Sequence, residues 1–331
     1  MRVLENLPLK AYTTFGIDVN AQRLVEFGPD DDPAALAPLL TEPWFILGGG
    51  SNVVFTADYR GTVVKLTTER LAMCDGTAVT AWGGMVLDDL VQWTLDKGLY
   101  GLENLSAIPG TVGAAAVQNV GAYGVEAKDV VERVEAYDLL ERRCCSFANV
   151  DCRFDYRQSM FKEHPGRYLI LWVTFRLADR FIPNLTYKAL DGLPHGSAAD
   201  LRRSITDLRW SKLPRPEEHG SAGSFFKNPV VDEATYRRLK TEYPDMPDAH
   251  PVLSTLHSPL STYKLSAGWL IDRAGWKGRQ QGRAGVWPKN ALVLYNAEGC
   301  SGDEVCALAQ AIVADLQARF GVTLIPEAII I

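Results

Sequence analysis

Residues 101–124 read GLENLSAIPGTVGAAAVQNVGAYG, and this stretch governs how the rest of the chain is interpreted. Gly110, Gly113, Gly121 and Gly124 permit close backbone approach, and Ala114, Ala115 and Ala116 remove side-chain bulk. Gln118, Asn119 and Tyr123 supply a few polar groups, with Ile108 and Pro109 just upstream. Such a composition is odd for a surface loop. A flat polycyclic ligand fits against it, and tight helix packing is the alternative. No GK[ST] follows, so it is not a Walker A loop.

A second glycine-rich stretch, ILGGGSNVVF at residues 46–55, follows the strand-like run WFIL. Gly48, Gly49 and Gly50 offer backbone amides with no side chains in the way, and Ser51 and Asn52 follow them. This is a device for holding a diphosphate, although a plain strand-to-strand turn has the same composition. Val53 stands where the third glycine of GxGxxG belongs, and VVF continues as strand rather than helix, so a Rossmann domain is disfavoured.

The chain has 331 residues, enough for two or three domains. Hydrophobic residues make up 47% and charged residues 22%, which is globular usage and excludes collagenous or disordered classes. Lys plus Arg total 34 against 40 Asp plus Glu; a net charge of −6 gives no broad attraction to nucleic acid or anionic membranes. The opening MRVLENLPLKAYTTFGID lacks a signal-peptide core, and no apolar run approaches the ~18 residues of a membrane span. A cytoplasmic protein, monomeric and without membrane or nucleic-acid partners, is expected.

Cys74, Cys144, Cys145, Cys152, Cys300 and Cys306 show no CxxC spacing and read as reduced and structural. His164, His195, His219, His250 and His257 are scattered without a metal-ligand pattern, so no metal is expected.

Short β-like runs alternate with a few helices, which predicts an α+β or mixed α/β protein. Asp31 and Asp32 before Pro33 offer N-caps for a short helix. MVLDDLVQWTLDKG places Val86, Leu90, Val91 and Leu95 near one face and closes on Gly98. In SGDEVCALAQAIVADLQARFG, Ser301 and Glu304 form a capping box. Val305, Leu308, Ile312 and Leu316 make its stripe, and Gly321 ends it. TLIPEAIII, residues 323–331, reads as a strand. SKLPRPEEHG at 211–220 has linker character, and a softer boundary lies near 67.

GSAGSFFKNP sets Ser224 between a glycine and two aromatics. The spacing is not that of a nucleophile elbow and no base is at hand. The serine can instead yield a proton to a strongly basic intermediate, or simply bond a turn. Glu327 is the only charge in TLIPEAIII and needs a partner. Arg157, in CRFDYR, has a fork suited to a carboxylate, whether that of Glu327 or of a ligand. Arg209, Lys212 and Arg215 cluster where a helix ends before Pro214, which suits phosphate and equally suits the helix dipole.

Together these residues resemble the UDP-N-acetylenolpyruvoylglucosamine reductase (MurB) family of flavoenzymes. The likeness runs through TTFGID (13–18), ILGGGSN, DYRGTVV, GLENLSAIPGTVGA, QNVGAYG, CRFDYR, LTY, SKLP, AGSFFKNPVV, AGWLID and PE, in the family's order. It implies an α+β, vanillyl-alcohol-oxidase-type FAD-binding fold of two N-terminal subdomains, 1–67 and 68–213. A substrate domain, 214–331, would follow, with the terminal strand 323–331 packing back. FAD would be held by GGGSN and the 108–123 segment, including Gln118, Asn119, Gly121 and Tyr123. NADPH would reduce the flavin, hydride would pass from N5 to C3 of UDP-N-acetylglucosamine enolpyruvate, and a proton would reach C2, giving UDP-N-acetylmuramate.

By the same resemblance Ser224 is the proton donor, and Arg157 and Glu327 stabilise the enolate-like charge. Tyr187, Arg209, Lys212, Asn228 and Asn290 contact the nucleotide sugar. A tyrosine in LTYxxL points to the family's first type, whose tyrosine loop folds over the nucleotide. Two positions depart from the pattern: Ile329 replaces an arginine often found there, and Asn290 a glutamine. Another flavin oxidase of this fold and a noncatalytic nucleotide-sugar sensor are the competing readings.

Overall fold

In a computed structural model, which describes residues 1–252 and 262–331, the chain divides into two compact units. One comprises Met1–Pro8, Asn20–Gly50 and Asp58–Trp210; the other comprises Leu9–Val19, Ser51–Ala57 and Ser211–Ile331. Among the described residues no helix is long and apolar enough to cross a membrane. His257 lies outside the described residues.

Two large sheets and a small hairpin of Gly121–Ala122 with Val125–Glu126 lie in the first unit. In one, Arg2–Pro8 pairs antiparallel with Asn20–Phe27, which continues in parallel to Tyr59–Leu66 and then Trp44–Leu47. The central parallel strand Tyr59–Leu66 carries the continuous buried run Gly61–Val64, whereas Asn20–Phe27 mixes exposed and buried residues. The other is an antiparallel sheet of five, ordered Arg143–Ala148, Val131–Asp138, Tyr168–Arg176, Ala78–Trp82 and Ala72–Asp75. The first sheet ends at Leu66 and the second starts at Ala72, yet Val25, Phe27, Val64, Trp82, Leu90, Val112 and Val173 share one buried core. The helices Leu87–Asp96 and Val112–Gln118 belong to this layer.

The second unit holds an antiparallel sheet ordered Gly220–Ser224, Val293–Asn296, Ala284–Val286 and Gln280–Gln281. Its longest helix, Gly302–Phe320, shows the expected capping box: Ser301 accepts from the Glu304 amide while Glu304 accepts from the Ser301 amide. Val305, Leu308, Ile312 and Leu316 are fully buried, and Gly321 ends the helix at φ 67°.

Three local expectations are altered. Pro33–Leu39, capped by Asp32 as expected, is a 3-10 helix, with Pro38 inside it unable to donate. The run 323–331 forms a named strand only at Ile329–Ile330, parallel to Val53–Val54, and pairs more briefly upstream through an antiparallel bridge between Pro326 and Phe226. Ser211 and Lys212, assigned above to a linker, are the last residues of the helix Ala198–Lys212.

Candidate active site

The two glycine-rich stretches meet inside the first unit. Strand Trp44–Leu47 feeds Gly48–Gly50 against the 107–114 segment. A Cβ on Gly48 would lie 2.8 Å from the Ala114 methyl, and one on Gly49 would lie 2.6 Å from the Gly110 Cα. Neither position tolerates a side chain, so the two backbones run together, the close approach that a cradle for a diphosphate and a flat ring requires. Gly50 follows at φ 65°. Lys65 donates to the Gly48 carbonyl at 3.0 Å, and burial pushes its ammonium below the usual lysine range.

The far side of the cradle is pinned by charge. Ala107, a non-glycine residue at φ 56°, has its amide held by Asp88 at 2.6 Å and its carbonyl by the Arg209 Nε at 3.1 Å. Asp88 is in turn gripped by Arg202, which holds its carboxyl below the ordinary range against the opposing effect of burial. Leu87 donates its amide to the Gly110 carbonyl at 3.0 Å. Burial lowers the Arg209 guanidinium, and its hydrogen bond with Tyr123 works against that.

Downstream, Arg157 adopts φ 53° and donates from Nη2 to the Gly121 carbonyl at 3.1 Å, so the guanidinium stands on the QNVGAYG turn. Lys162 reaches the Arg157 carbonyl at 3.1 Å and Gln118 Oε1 at 3.3 Å. The Tyr123 and Tyr187 rings meet edge to face at 5.4 Å. Asn104, almost wholly buried, donates to both the Tyr123 and the Asn184 carbonyls, at 2.7 and 2.9 Å.

In the second unit Ser224 closes a strand that is bulged. Gly220 pairs with Asn296 and Ser221 with Tyr295, but Ser224 pairs with Val293, one residue out of register, with Gly223 at φ 65°. The Phe225 carbonyl then accepts from the Glu327 amide at 2.7 Å. Asn52 holds the other backbone group of the same residue, donating Nδ2 to the Glu327 carbonyl at 3.1 Å. Ser224 and Glu327 are thus joined through a short stretch of fixed backbone.

Residues 215–331 match the model of the UDP-N-acetylenolpyruvoylglucosamine reductase C-terminal domain, and residues 35–140 match an FAD binding domain. UDP-N-acetylenolpyruvoylglucosamine reductase of Pseudomonas aeruginosa is 42% identical over 99% of this chain and 98% of its own length. The enzyme of that name from Burkholderia ambifaria is 44% identical over 99% and 97%. The crystal structure of UDP-N-acetylenolpyruvylglucosamine reductase from Thermus caldophilus superposes with a TM-score of 0.70 at 25% identity, covering 100% of this chain and 99% of that one.

The chain belongs to the UDP-N-acetylenolpyruvoylglucosamine reductase family. The α+β fold with an FAD binding domain, which the resemblance implied, is the fold that the model match and the structure support.

For this reductase-family member, several expected contact residues already have structural partners. Asn119 is fully buried at φ 41°, and its amide group bonds Glu126, the Asp155 carbonyl and the Lys128 amide. The Gly113 Cα packs toward Gly83 and Ile170, which is the helix-packing role weighed above. Arg209 supports the Ala107 turn, while Lys212 is exposed. Asn228 accepts from the Ala267 amide at the start of a helix, and Asn290 accepts from the Leu292 amide within its own turn. Tyr187 stays half exposed.

Sequence reasoning missed Lys65, Asp88, Asn104 and the structural use of Thr14. A lysine at the end of the apolar run GTVV was the available signal for Lys65. Asp88 and Asn104 sit in motifs already singled out, but the groups they hold lie 19 and 80 residues away.

Proposed function

We propose that this chain reduces UDP-N-acetylglucosamine enolpyruvate to UDP-N-acetylmuramate, with FAD as its prosthetic group and NADPH as reductant. The observation carrying this reading is the interlock of Gly48–Gly50 with Gly110 and Ala114, which fits a flavin dinucleotide and leaves no room for side chains. The Gly48–Gly50 and 108–123 stretches would hold FAD, whose chemistry would be to carry the hydride equivalent from NADPH to C3 of the enolpyruvyl group.

The chain's own residues do the rest. Ser224 holds the proton that C2 receives, and proximity compensates for a weak acid because the centre it meets is strongly basic. Arg157 faces the substrate carboxylate, where negative charge gathers in the transition state, and a fixed fork is worth most there. Glu327 shares that task. Ser51, Asn52 and the 108–123 segment bind the cofactor, and Tyr187, Arg209, Lys212, Asn228 and Asn290 orient the nucleotide sugar, with Tyr187 on a loop of the first family type. Residues 1–67 and 68–213 serve as FAD-binding subdomains and 214–331 as the substrate domain. The enzyme works in the cytoplasm as a monomer, without nucleic-acid or membrane partners.

Purified protein should be yellow, bleach anaerobically with NADPH and regain colour with the enolpyruvyl substrate. Colourless protein that takes up no FAD would reject this function.

A further inference from the structure

Thr14 lies in TTFGID, a motif with no assigned role, and it sits beside the strand that ends at Ser224. Its hydroxyl donates to the Ser221 carbonyl at 2.6 Å, and its own carbonyl accepts from the Ser221 amide at 3.1 Å. Both backbone polar groups of Ser221 are therefore held by Thr14. The approach is close enough that a Cβ on Gly220 would come 2.2 Å from the Phe15 carbonyl oxygen. That oxygen is itself fixed by Asn296 Nδ2 at 3.2 Å, and the Phe15 ring is buried.

This bracket matters because of the bulge. On the Val293–Asn296 side the register shifts between Ser221 and Ser224, so the pairing at Ser221 does not by itself set the Ser224–Val293 pair. Bulges re-aim side chains, so the contacts flanking one bear on where its side chain stands. Downstream, the Phe225 amide bonds the Leu292 carbonyl at 2.7 Å and its carbonyl takes the Glu327 amide. Upstream, the extra restraint is Thr14.

We infer that Thr14 is a positioning residue for Ser224, setting through Ser221 where the serine hydroxyl stands for proton delivery. The inference rests on Ser224 being the proton donor. Thr14→Val removes the hydroxyl with little change of shape, and Thr14→Ser restores it.

Anaerobic stopped-flow on the FAD-loaded enzyme, one half-reaction at a time, separates the cases. Thr14→Val should leave flavin reduction by NADPH within about twofold of wild type and slow reoxidation by the enolpyruvyl substrate by roughly tenfold or more, the scale expected when a reacting group is displaced. The Ser221 amide should exchange with deuterium faster in that variant. Thr14→Ser should match wild type in all three. Reoxidation unchanged in Thr14→Val, equal slowing of both half-reactions, Thr14→Ser as slow as Thr14→Val, or unaltered Ser221 exchange would each overturn the inference. Ser224→Ala run alongside tests the underlying reading separately: comparable loss in both half-reactions there would remove the donor role itself.

Discussion

The Phe225 carbonyl oxygen and the Glu327 amide nitrogen are 2.7 Å apart, a backbone hydrogen bond between residues about a hundred positions distant in sequence. Ser224 directly precedes one partner, and the other is the sole charged residue of the terminal segment. A bridge between Phe226 and Pro326 and a bond from the Lys227 amide to the Ile325 carbonyl extend the pairing. Backbone bonding of this kind fixes Cα positions, so the hydroxyl and carboxyl differ in placement only by their own rotamers.

Gly49→Ala tests the flavin cradle. The new methyl would meet the Gly110 backbone, which has no side chain to swing away, so the two stretches must part. The variant should purify with a flavin-to-protein absorbance ratio well below wild type, whereas Gly196→Ala, with only a distant Asp200 oxygen nearby, should keep its colour. Full occupancy in Gly49→Ala would show that the interlock does not hold the cofactor.

Arg157→Lys keeps the charge and loses the planar fork that rests on the Gly121 carbonyl. Reoxidation by substrate should slow by roughly 10²-fold while reduction by NADPH is nearly unaffected. Rapid single-turnover traces would measure both; equal rates in lysine and arginine enzymes would leave bidentate contact without a role.

Glu304 offers a pH-dependent readout. Arg283 and the Ser301 amide hold its carboxyl at about 2, well under the 4.5 usual for glutamate. A carboxyl depressed in the folded state contributes stability above its unfolded value and loses it as pH falls from there toward 2. Glu304→Gln should therefore melt below wild type at pH 7, with the gap in Tm closing between about pH 4.5 and pH 2. A gap that stays constant through that window would exclude the charge as its source.

Thiol labelling should sort the cysteines by environment. Burial pushes Cys152 up to about 12 and Cys300 up to about 11, while Cys74 and Cys144 are exposed. Ellman's reagent at mild alkaline pH should react fast with Cys74 and Cys144 and reach Cys152 and Cys300 only in denaturant. Early modification of Cys152 in native protein would contradict the packing described.

What the sequence made legible follows the range of the interactions involved. The helix Gly302–Phe320 was readable end to end because its cap, stripe and terminating glycine are local. The Asp32 cap was readable for the same reason. The terminal segment was not: its two strand residues pair with Val53 and Val54, some 275 residues earlier, and no periodicity encodes such a partner. The glycine-rich stretches were recognisable singly, but their mutual contact is a tertiary fact. Arg209 was read as a cation suited to phosphate or to the helix dipole, and its Nε bonds the Ala107 carbonyl 102 residues earlier, a partner no local pattern announces.

The chain passes from one compact unit to the other after residues 8, 19, 50, 57 and 210. The third of these crossings falls inside GGGSN itself, so Gly50 is counted with one body and Ser51 with the other. No single cut or gene fusion can therefore lift out either half intact. A chimera exchanging only 211–331 would leave behind 9–19 and 51–57, and with them the hydroxyl and amide that brace the transplanted strand and tail. Recombination between relatives must move three segments together or inherit mismatched supports.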